Sequence, residues 1–334
     1  MKKILLITFG NIAQNLAATP AISVLKRNFP KADITVLTDK SYIFANNPYV
    51  EETILSQTFS KEFRTIKDAG YDLAVLFNTS FKYSLLLFLA GVKKRLAPSS
   101  RLTNLFINNP VKIDEAKTKA EQNISLLSPL FIYSFPSGPM LNVPKKADEE
   151  AKKYLSDAGI LPSDKFILMC PSGQGDDNWP KDKYAALIDA LALKFPTVKI
   201  LLIGKTKKDI SAANEIYWRS IRKPLVAREQ LTLEKFTALL NRSALVVSNY
   251  KAPSHLASAL GKAVIAFIPN DTKKNILKPY GSDTILMEAK EEGQTLADIS
   301  PSEVADMVAK LAPKFLAKNK DIKNAKGTFS FFNN

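Results

Sequence analysis

Residues 3–30 read KILLITFGNIAQNLAATPAISVLKRNFP, and this stretch decides the fold class. A short apolar run predicts a buried strand, and the chain then passes through a turn at Gly10 into an amphipathic helix with Pro20 in its first turn. In α/β proteins such a strand–turn–helix unit often holds ligand phosphates or catalytic groups. The turn itself, GNIAQN, contains neither an acid nor a base.

Strand and helix patterns alternate outward from this stretch. Apolar runs at 33–39 and 71–77 predict further strands, and an apolar helix is predicted over 82–90. Residues 104–148 are irregular and contain Pro136, Pro139 and Pro144, which indicates a linker. The alternation then restarts with the strands KFILMC, VKILLIG, ALVVS and AVIAFI. The pattern predicts an α/β protein with two doubly wound, Rossmann-like domains facing across a cleft.

The predicted domain boundaries follow from this linker. We expect an N-terminal domain over 1–150, a C-terminal domain over 151–312, and a basic tail over 313–334 that either packs back or is mobile. We place the joint between residues 140 and 160. We expect the last helix, predicted over 301–318, to pack back towards the first domain.

Composition excludes several classes of protein. The chain has 334 residues, 46% of them hydrophobic, which is enough for two cores. A single cysteine, Cys170, excludes an internal disulfide framework and fits a reducing compartment. With one histidine, His255, we expect no metal centre and no other cofactor. The start MKKILLITFG has no small-residue cleavage site, so we interpret it as a strand and expect a cytoplasmic protein.

The formal net charge of +15 attracts polyanions, although a lysine-rich surface alone would also explain it. Nucleic acid is not an expected partner, because no recognition motif or pattern of stacking aromatics is present. An anionic membrane is a better candidate, since Lys93, Lys94, Arg95 and Arg101 follow the apolar helix. The tail adds lysines and the aromatic residues Phe329, Phe331 and Phe332. We therefore expect peripheral binding at the inner membrane.

Two stretches of the second half carry candidate binding residues. CPSGQGDDNWPKDKYAAL at 170–187 could present backbone N–H groups of Ser172 and Gly173 to an anion, or it could be an ordinary strand–helix loop. SNYKAPSHLASALGKAVIAFI at 248–268 places His255 early on a helix, where a capping or packing role competes with a catalytic one. No Ser–His–Asp arrangement and no P-loop motif is present in the sequence.

Together with the first stretch and with YDLAVLFNTSFKYSLLLFLAGVKKRLAP at 71–98, these blocks resemble the lipopolysaccharide heptosyltransferases of glycosyltransferase family 9. The block at 76–95 is most similar to the heptosyltransferase II branch. The resemblance implies a GT-B fold. It also implies an ADP-heptose type of nucleotide sugar held mainly by the second domain, and a lipid-linked glycan acceptor held mainly by the first.

The sequence departs from the family pattern at the expected catalytic base. Counting back from Thr19 and Pro20, Ala13 stands where the family has Gly and Gln14 where it has the Asp that accepts a proton from the acceptor. An amide does not accept that proton at neutral pH. A substitute base could come from Asp39, which follows the second predicted strand.

The expected donor site departs from the pattern as well. Asp177 replaces a lysine that pairs with the diphosphate, so the charge is reversed and we expect weak donor binding. Tyr250, Lys251 and Ala252 replace Asp-Ser/Thr-Gly. Ile268 and Glu229 each replace a glycine. Substitute cations could come from Lys251, Lys181 or Lys183.

Two functions fit these departures. The first is sugar transfer with altered catalytic residues in lipopolysaccharide or surface-glycan assembly. The second is a catalytically silent relative that binds a glycolipid or pairs with an active glycosyltransferase.

Overall fold

The computed structural model describes residues 1–134, 138–171, 178–204, 206–227, 229–269, 283–289 and 293–316. Within them lie two six-stranded parallel sheets, as the sequence predicts. The first sheet contains β1 (Lys3–Thr8), β2 (Asp33–Thr38), β3 (Glu52–Leu55), β4 (Leu73–Leu76), β5 (Lys94–Pro98) and β6 (Asn109–Val111). The second contains β7 (Phe166–Cys170), β8 (Lys199–Leu202), β9 (Leu225–Val226), β10 (Leu245–Asn249), β11 (Ala263–Phe267) and β12 (Thr284–Met287).

Both sheets have the doubly wound strand order. The first runs β3-β2-β1-β4-β5-β6, and the second runs β12-β11-β10-β7-β8-β9, with every pair parallel. In each sheet the order reverses beside the first strand, and the crevice at that point is the usual ligand site of such sheets.

Helices connect the strands of both sheets. In the described residues of the first half they are α1 (Ile12–Leu16), α2 (Thr19–Asn28), α3 (Phe59–Ala69), α4 (Phe81–Leu89) and α5 (Lys119–Ser125). Those of the second half are α6 (Lys145–Asp157), α7 (Lys181–Lys194), α8 (Lys207–Arg219), α9 (Leu233–Arg242), α10 (Ala252–Ala259) and α11 (Pro301–Leu316). Pro20 lies in the first turn of α2, as predicted, and Thr232 caps α9 through its side chain.

Continuous apolar runs form the central strands because both faces of each sheet are covered. Ile4 and Leu6 of β1 belong to one apolar cluster, while Leu5 and Ile7 belong to another on the opposite face. This is the two-residue alternation of a strand buried on both sides. The cluster of Ile4 continues to Leu168 of β7, so apolar packing is continuous between the two halves.

The connection between the sheets contacts both of them. The N–H of Met140 donates to the Thr19 hydroxyl at 2.8 Å, and the N–H of Leu141 donates to the Ala259 carbonyl at 3.1 Å. Helix α6, which the expected boundary at residue 150 would divide, packs against α9 of the second half. The boundaries themselves stay predictions.

The expectation for the last helix is wrong over residues 301–316. Helix α11 packs mainly on α7 and also contacts β11, both elements of the second half. Its apolar residues Val304, Val308 and Leu311 join the cluster formed by α7, so their burial decides where the helix lies. The rest of the expected tail, with its phenylalanines, lies outside the described residues.

Candidate functional site

The carboxyl ends of the two sheets face each other. Helix α1, which follows β1, packs against α10, which follows β10. The turns after the central strands of both sheets therefore meet in one region. This is the position at which a doubly wound fold binds its ligand.

The turn after β1 is fixed by its own hydrogen bonds. Asn11 caps α1, with its side chain accepting from the N–H of Gln14, while the Gln14 side chain accepts from the N–H of Asn11. Gly10 has φ +118°, and a Cβ at this position would lie 2.0 Å from Oε1 of Gln14, so only glycine fits there. Asn15, buried behind the turn, accepts from the Thr38 hydroxyl at 2.9 Å. Gln14 is thus a structural cap.

Asp39 lies at the same edge of the first sheet, directly after β2. Its side chain is 37% exposed and forms an ion pair with Lys40. Burial raises the pKa of the Tyr42 phenol, and the charges of Glu234 on α9 and of Asp39 raise it further. Tyr42 lines a cavity together with Glu234, so this edge of the first sheet faces the second half. Asp39 lies near Tyr42 and has solvent access.

Two lysines of the first half lie near the carboxyl end of β4. Lys119 donates to the Phe77 carbonyl at the end of β4, and burial lowers its pKa. Lys82 forms an ion pair of 2.8 Å with the buried carboxylate of Glu62. Burial alone would raise the pKa of Glu62, but hydrogen bonds from Lys82 and from Ser56 and Gln57 lower it. The Glu62 carboxylate thus stays charged and holds Lys82 in position.

A pocket of about 350 Å³ opens between the two halves. Its walls come from the ends of β7 and β8, from α9 and α10, and from Ile12 of α1. Apolar side chains dominate them, and the polar contributions come from Thr206, Asp209 and Lys251. A pocket of this size with a few polar groups is typical of a small-molecule site.

Sequence analysis missed the part of this pocket after β8. Thr206 caps α8 and Asp209 completes a reciprocal capping box with it. A Cβ on Gly204 would lie 2.4 Å from Cβ of Asp209 and 2.7 Å from its backbone carbon, so glycine is required there. The signal was present in LLIGKTKKD, where Gly follows a strand and T-x-x-D begins a helix.

The residues predicted around 250 lie together at the start of α10. Lys251 is the N-cap residue, Ala252 begins the helix, and both line the pocket. The Tyr250 ring meets the His255 ring edge-on at 5.1 Å. Burial raises the pKa of Tyr250 to about 12 and lowers that of His255 to about 4. His255 is therefore a neutral packing residue at pH 7.

Other predicted residues fall outside the pocket or outside the described residues. Lys181 pairs with Glu215 on α8, and Lys183 donates to the Ile299 carbonyl, so Lys251 is the expected substitute cation that lines the pocket in the described structure. Glu229 pairs with Lys235 at 2.6 Å on the surface. The predictions for Ser172, Gly173 and Asp177 lie outside the described residues.

Trp179 of the NWP stretch belongs to the core. Its ring stacks on Phe267 with centroids 4.3 Å apart, and its indole N–H donates to the Ile299 carbonyl at 3.0 Å. Ile268 follows Phe267 and is completely buried. The position at which the family has a glycine is thus filled by an apolar side chain.

No group of three or more His, Cys, Asp or Glu side chains in the described residues could hold a metal ion. No described helix is both long and apolar enough to cross a bilayer.

Two doubly wound domains with a pocket between their carboxyl edges define the GT-B class of glycosyltransferase folds. The model of glycosyltransferase family 9 (heptosyltransferase) matches residues 60–303. The chain belongs to this family.

Curated relatives and solved structures agree with this membership. Over 290 residues the chain is 26% identical to lipopolysaccharide heptosyltransferase 3 of Escherichia coli, covering 81% of this chain and 84% of the relative. A family 9 glycosyl transferase from Veillonella parvula superposes with a TM-score of 0.84 at 19% identity, covering 94% of this chain and 97% of that one. The ADP-heptose heptosyltransferase II of E. coli superposes with a TM-score of 0.78 at 22% identity, covering 95% and 100%. At these identities the two structures show a shared fold.

Proposed function

We propose that this protein transfers a sugar from a nucleotide sugar of the ADP-heptose type to a lipid-linked glycan during assembly of lipopolysaccharide or a related surface glycan. The observation that carries the proposal is the pocket of about 350 Å³ between α1 and α10, where the carboxyl edges of both sheets meet. The family membership and the names of the relatives support the donor and the pathway. We place the reaction at the cytoplasmic face of the inner membrane.

The pocket residues of the second domain would hold the donor. Lys251 provides positive charge at the N-terminus of α10, which suits an anion such as a diphosphate. The apolar wall formed by Leu233, Phe236 and Leu256 suits the flat face of a nucleobase.

The first domain would provide the catalytic base. In the transfer step the acceptor hydroxyl oxygen attacks C1 of the sugar, the bond between C1 and the phosphate oxygen breaks, and the nucleoside diphosphate leaves. The hydroxyl proton passes to a carboxylate, for which we propose Asp39. Gln14 is unsuited to this role, because its side chain is an amide and caps α1.

A second function is favoured by the same observation on Gln14. In a catalytically silent protein the turn would keep its capping role without a base. Such a protein would bind the glycolipid or pair with an active glycosyltransferase.

Two measurements on the full-length protein separate these functions. The first is calorimetric titration with ADP and with ADP-heptose, for the natural protein and for Lys251→Ala. Lys310→Ala is the matched control, because Lys310 is exposed on α11 and does not line the pocket. The second measurement follows incorporation of labelled heptose into a lipopolysaccharide-core lipid extract. Weak donor binding that Lys251→Ala weakens further, together with incorporation, supports transfer. Absence of both donor binding and incorporation would leave the silent function.

A further inference from the structure

An apolar patch lies on the outer face of the first domain. It consists of the side chains of Phe81, Phe88, Leu89, Leu102 and Leu105, which we call the α4 patch. Their exposed fractions are 49%, 49%, 49%, 63% and 72%, respectively. Five large apolar residues exposed together mark an interaction surface rather than ordinary surface variation.

Ring contacts join the two parts of the patch. Phe106, half buried after the 3-10 turn Thr103–Leu105, contacts Phe81 with centroids 5.5 Å apart and Phe88 at 5.6 Å. Its backbone carbonyl accepts from Nε of Arg95 at 2.7 Å. Phe106 therefore connects the exposed rings of α4 to the turn that carries Leu105.

Helix α4 is apolar on both faces. Its outer face is exposed apart from its contacts with Phe106. The inner face packs Leu86 and Leu87 into the core. A surface helix normally turns polar residues outward. Here Phe81, Phe88 and Leu89 take those outward positions, so burial in the core does not explain them.

Positive charge surrounds the α4 patch. Residues 73–113 contain six lysines and arginines and no aspartate or glutamate. Lys93, Lys94 and Arg101 are exposed, and the Arg95 guanidinium lies 5.5 Å from the centroid of the Phe88 ring. Apolar side chains surrounded by cations match the boundary between acyl chains and anionic headgroups of a bilayer.

We propose that the α4 patch docks this protein on an anionic membrane, with its apolar side chains in the interface and the surrounding cations on lipid phosphates. Helix α4 begins at Phe81, shortly after the carboxyl end of β4, and its exposed Phe88 and Leu89 lie at its other end, just before β5. A membrane at the patch would therefore lie along the outer face of the first domain. This goes beyond the transfer reaction and holds for a silent protein as well.

Vesicle sedimentation with the full-length protein tests the proposal. The vesicles contain either phosphatidylglycerol with phosphatidylethanolamine or phosphatidylcholine alone, at low and high salt. We expect binding to the anionic vesicles, which weakens as salt rises, and little binding to the neutral ones.

Two pairs of variants separate the apolar from the charged contribution. Phe88→Ser with Leu105→Ser should lower the partition constant at least about tenfold, since it removes two interfacial side chains. The control is Leu193→Ser with Ile221→Ser, which are 72% and 82% exposed in the second half. Lys93→Gln with Lys94→Gln should also lower it at least about tenfold and flatten its salt dependence. The control is Lys152→Gln with Lys153→Gln, exposed on α6.

Three results would overturn the proposal. They are equal binding to neutral vesicles, patch variants that bind like their controls, and a stable oligomer of the natural protein that the patch variants dissociate. The last result would make the α4 patch an interface between proteins.

Discussion

Gln14 and Asn11 hold each other's backbone at the start of α1, with both hydrogen bonds at 2.9 Å. The position at which the resemblance leads us to expect a catalytic acid is therefore part of a reciprocal helix cap. Gly10 has φ +118°, which explains the glycine there, because other residues rarely adopt this conformation. In the structure Gln14 serves this turn as a cap.

Gln14→Ala should lower the free energy of unfolding by about 1 kcal/mol, since it removes one partner of the capping box. Gln14→Glu is the control, because glutamate at this position of a capping box keeps the hydrogen bond to the N–H of Asn11. Urea unfolding of the three proteins measures the difference. If Gln14→Ala is as stable as the natural protein, the cap does not contribute to stability.

Ile268→Gly should destabilise the protein although it restores the residue of the family pattern. Ile268 is completely buried, and its N–H donates to the Met287 carbonyl at 2.9 Å. Removing the side chain leaves a cavity and adds the backbone entropy of glycine, a cost of about 3–5 kcal/mol. Ile268→Val, as a control, should cost about 1 kcal/mol. A stable Ile268→Gly variant with tighter ADP binding would contradict the view that the position has been repacked.

His255 should make the folded protein less stable in mild acid. Burial lowers its folded pKa to about 4, below the unfolded value of about 6.5, so the unfolded state binds more protons between these values. Stability is fully present above the unfolded pKa and falls as the pH is lowered. Between pH 7.5 and 5.5 the contribution of His255 to the free energy of unfolding should decrease by about 1.4 kcal/mol.

This contribution can be isolated because the chain has one histidine. Urea unfolding at both pH values is compared between the natural protein and His255→Gln, in which the carboxylates still titrate. The variant should lack about 1.4 kcal/mol of the pH effect. Equal pH effects in the two proteins would show that His255 is not buried in its neutral form.

The sequence predicted the two sheets because their central strands are buried on both faces. Runs such as ILLI in β1 and FILMC in β7 are apolar at every position for that reason. The four edge strands β3, β6, β9 and β12 were not predicted, because they are short and partly exposed. The last helix was placed wrongly, since an apolar helix face does not tell which core it will join.

The candidate site was only partly predictable, for a related reason. Lys251 and Ala252 were found because they follow an apolar run in a recognised block. The pocket also depends on Ile12 from the first half and Phe236 from α9, which meet only after both sheets form. The capping box of Asn11 and Gln14 was also missed. The pattern N-x-x-Q before a helix indicates such a cap, but Gln14 was interpreted only as the replacement of an acid.

Asp39→Asn should lower the rate of transfer at least about 100-fold, since the amide cannot accept the proton of the acceptor hydroxyl. ADP affinity should not change, because Asp39 does not line the donor pocket. Lys40→Gln is the control: it removes the ion pair with Asp39 but keeps the carboxylate, so transfer should change little. Gln14→Asp alone should leave the rate unchanged, because Asp39 already accepts the proton. If Asp39→Asn transfers at the natural rate, another group is the base. If the double variant Asp39→Asn with Gln14→Asp recovers transfer, a carboxylate in the turn after β1 can also act as the base.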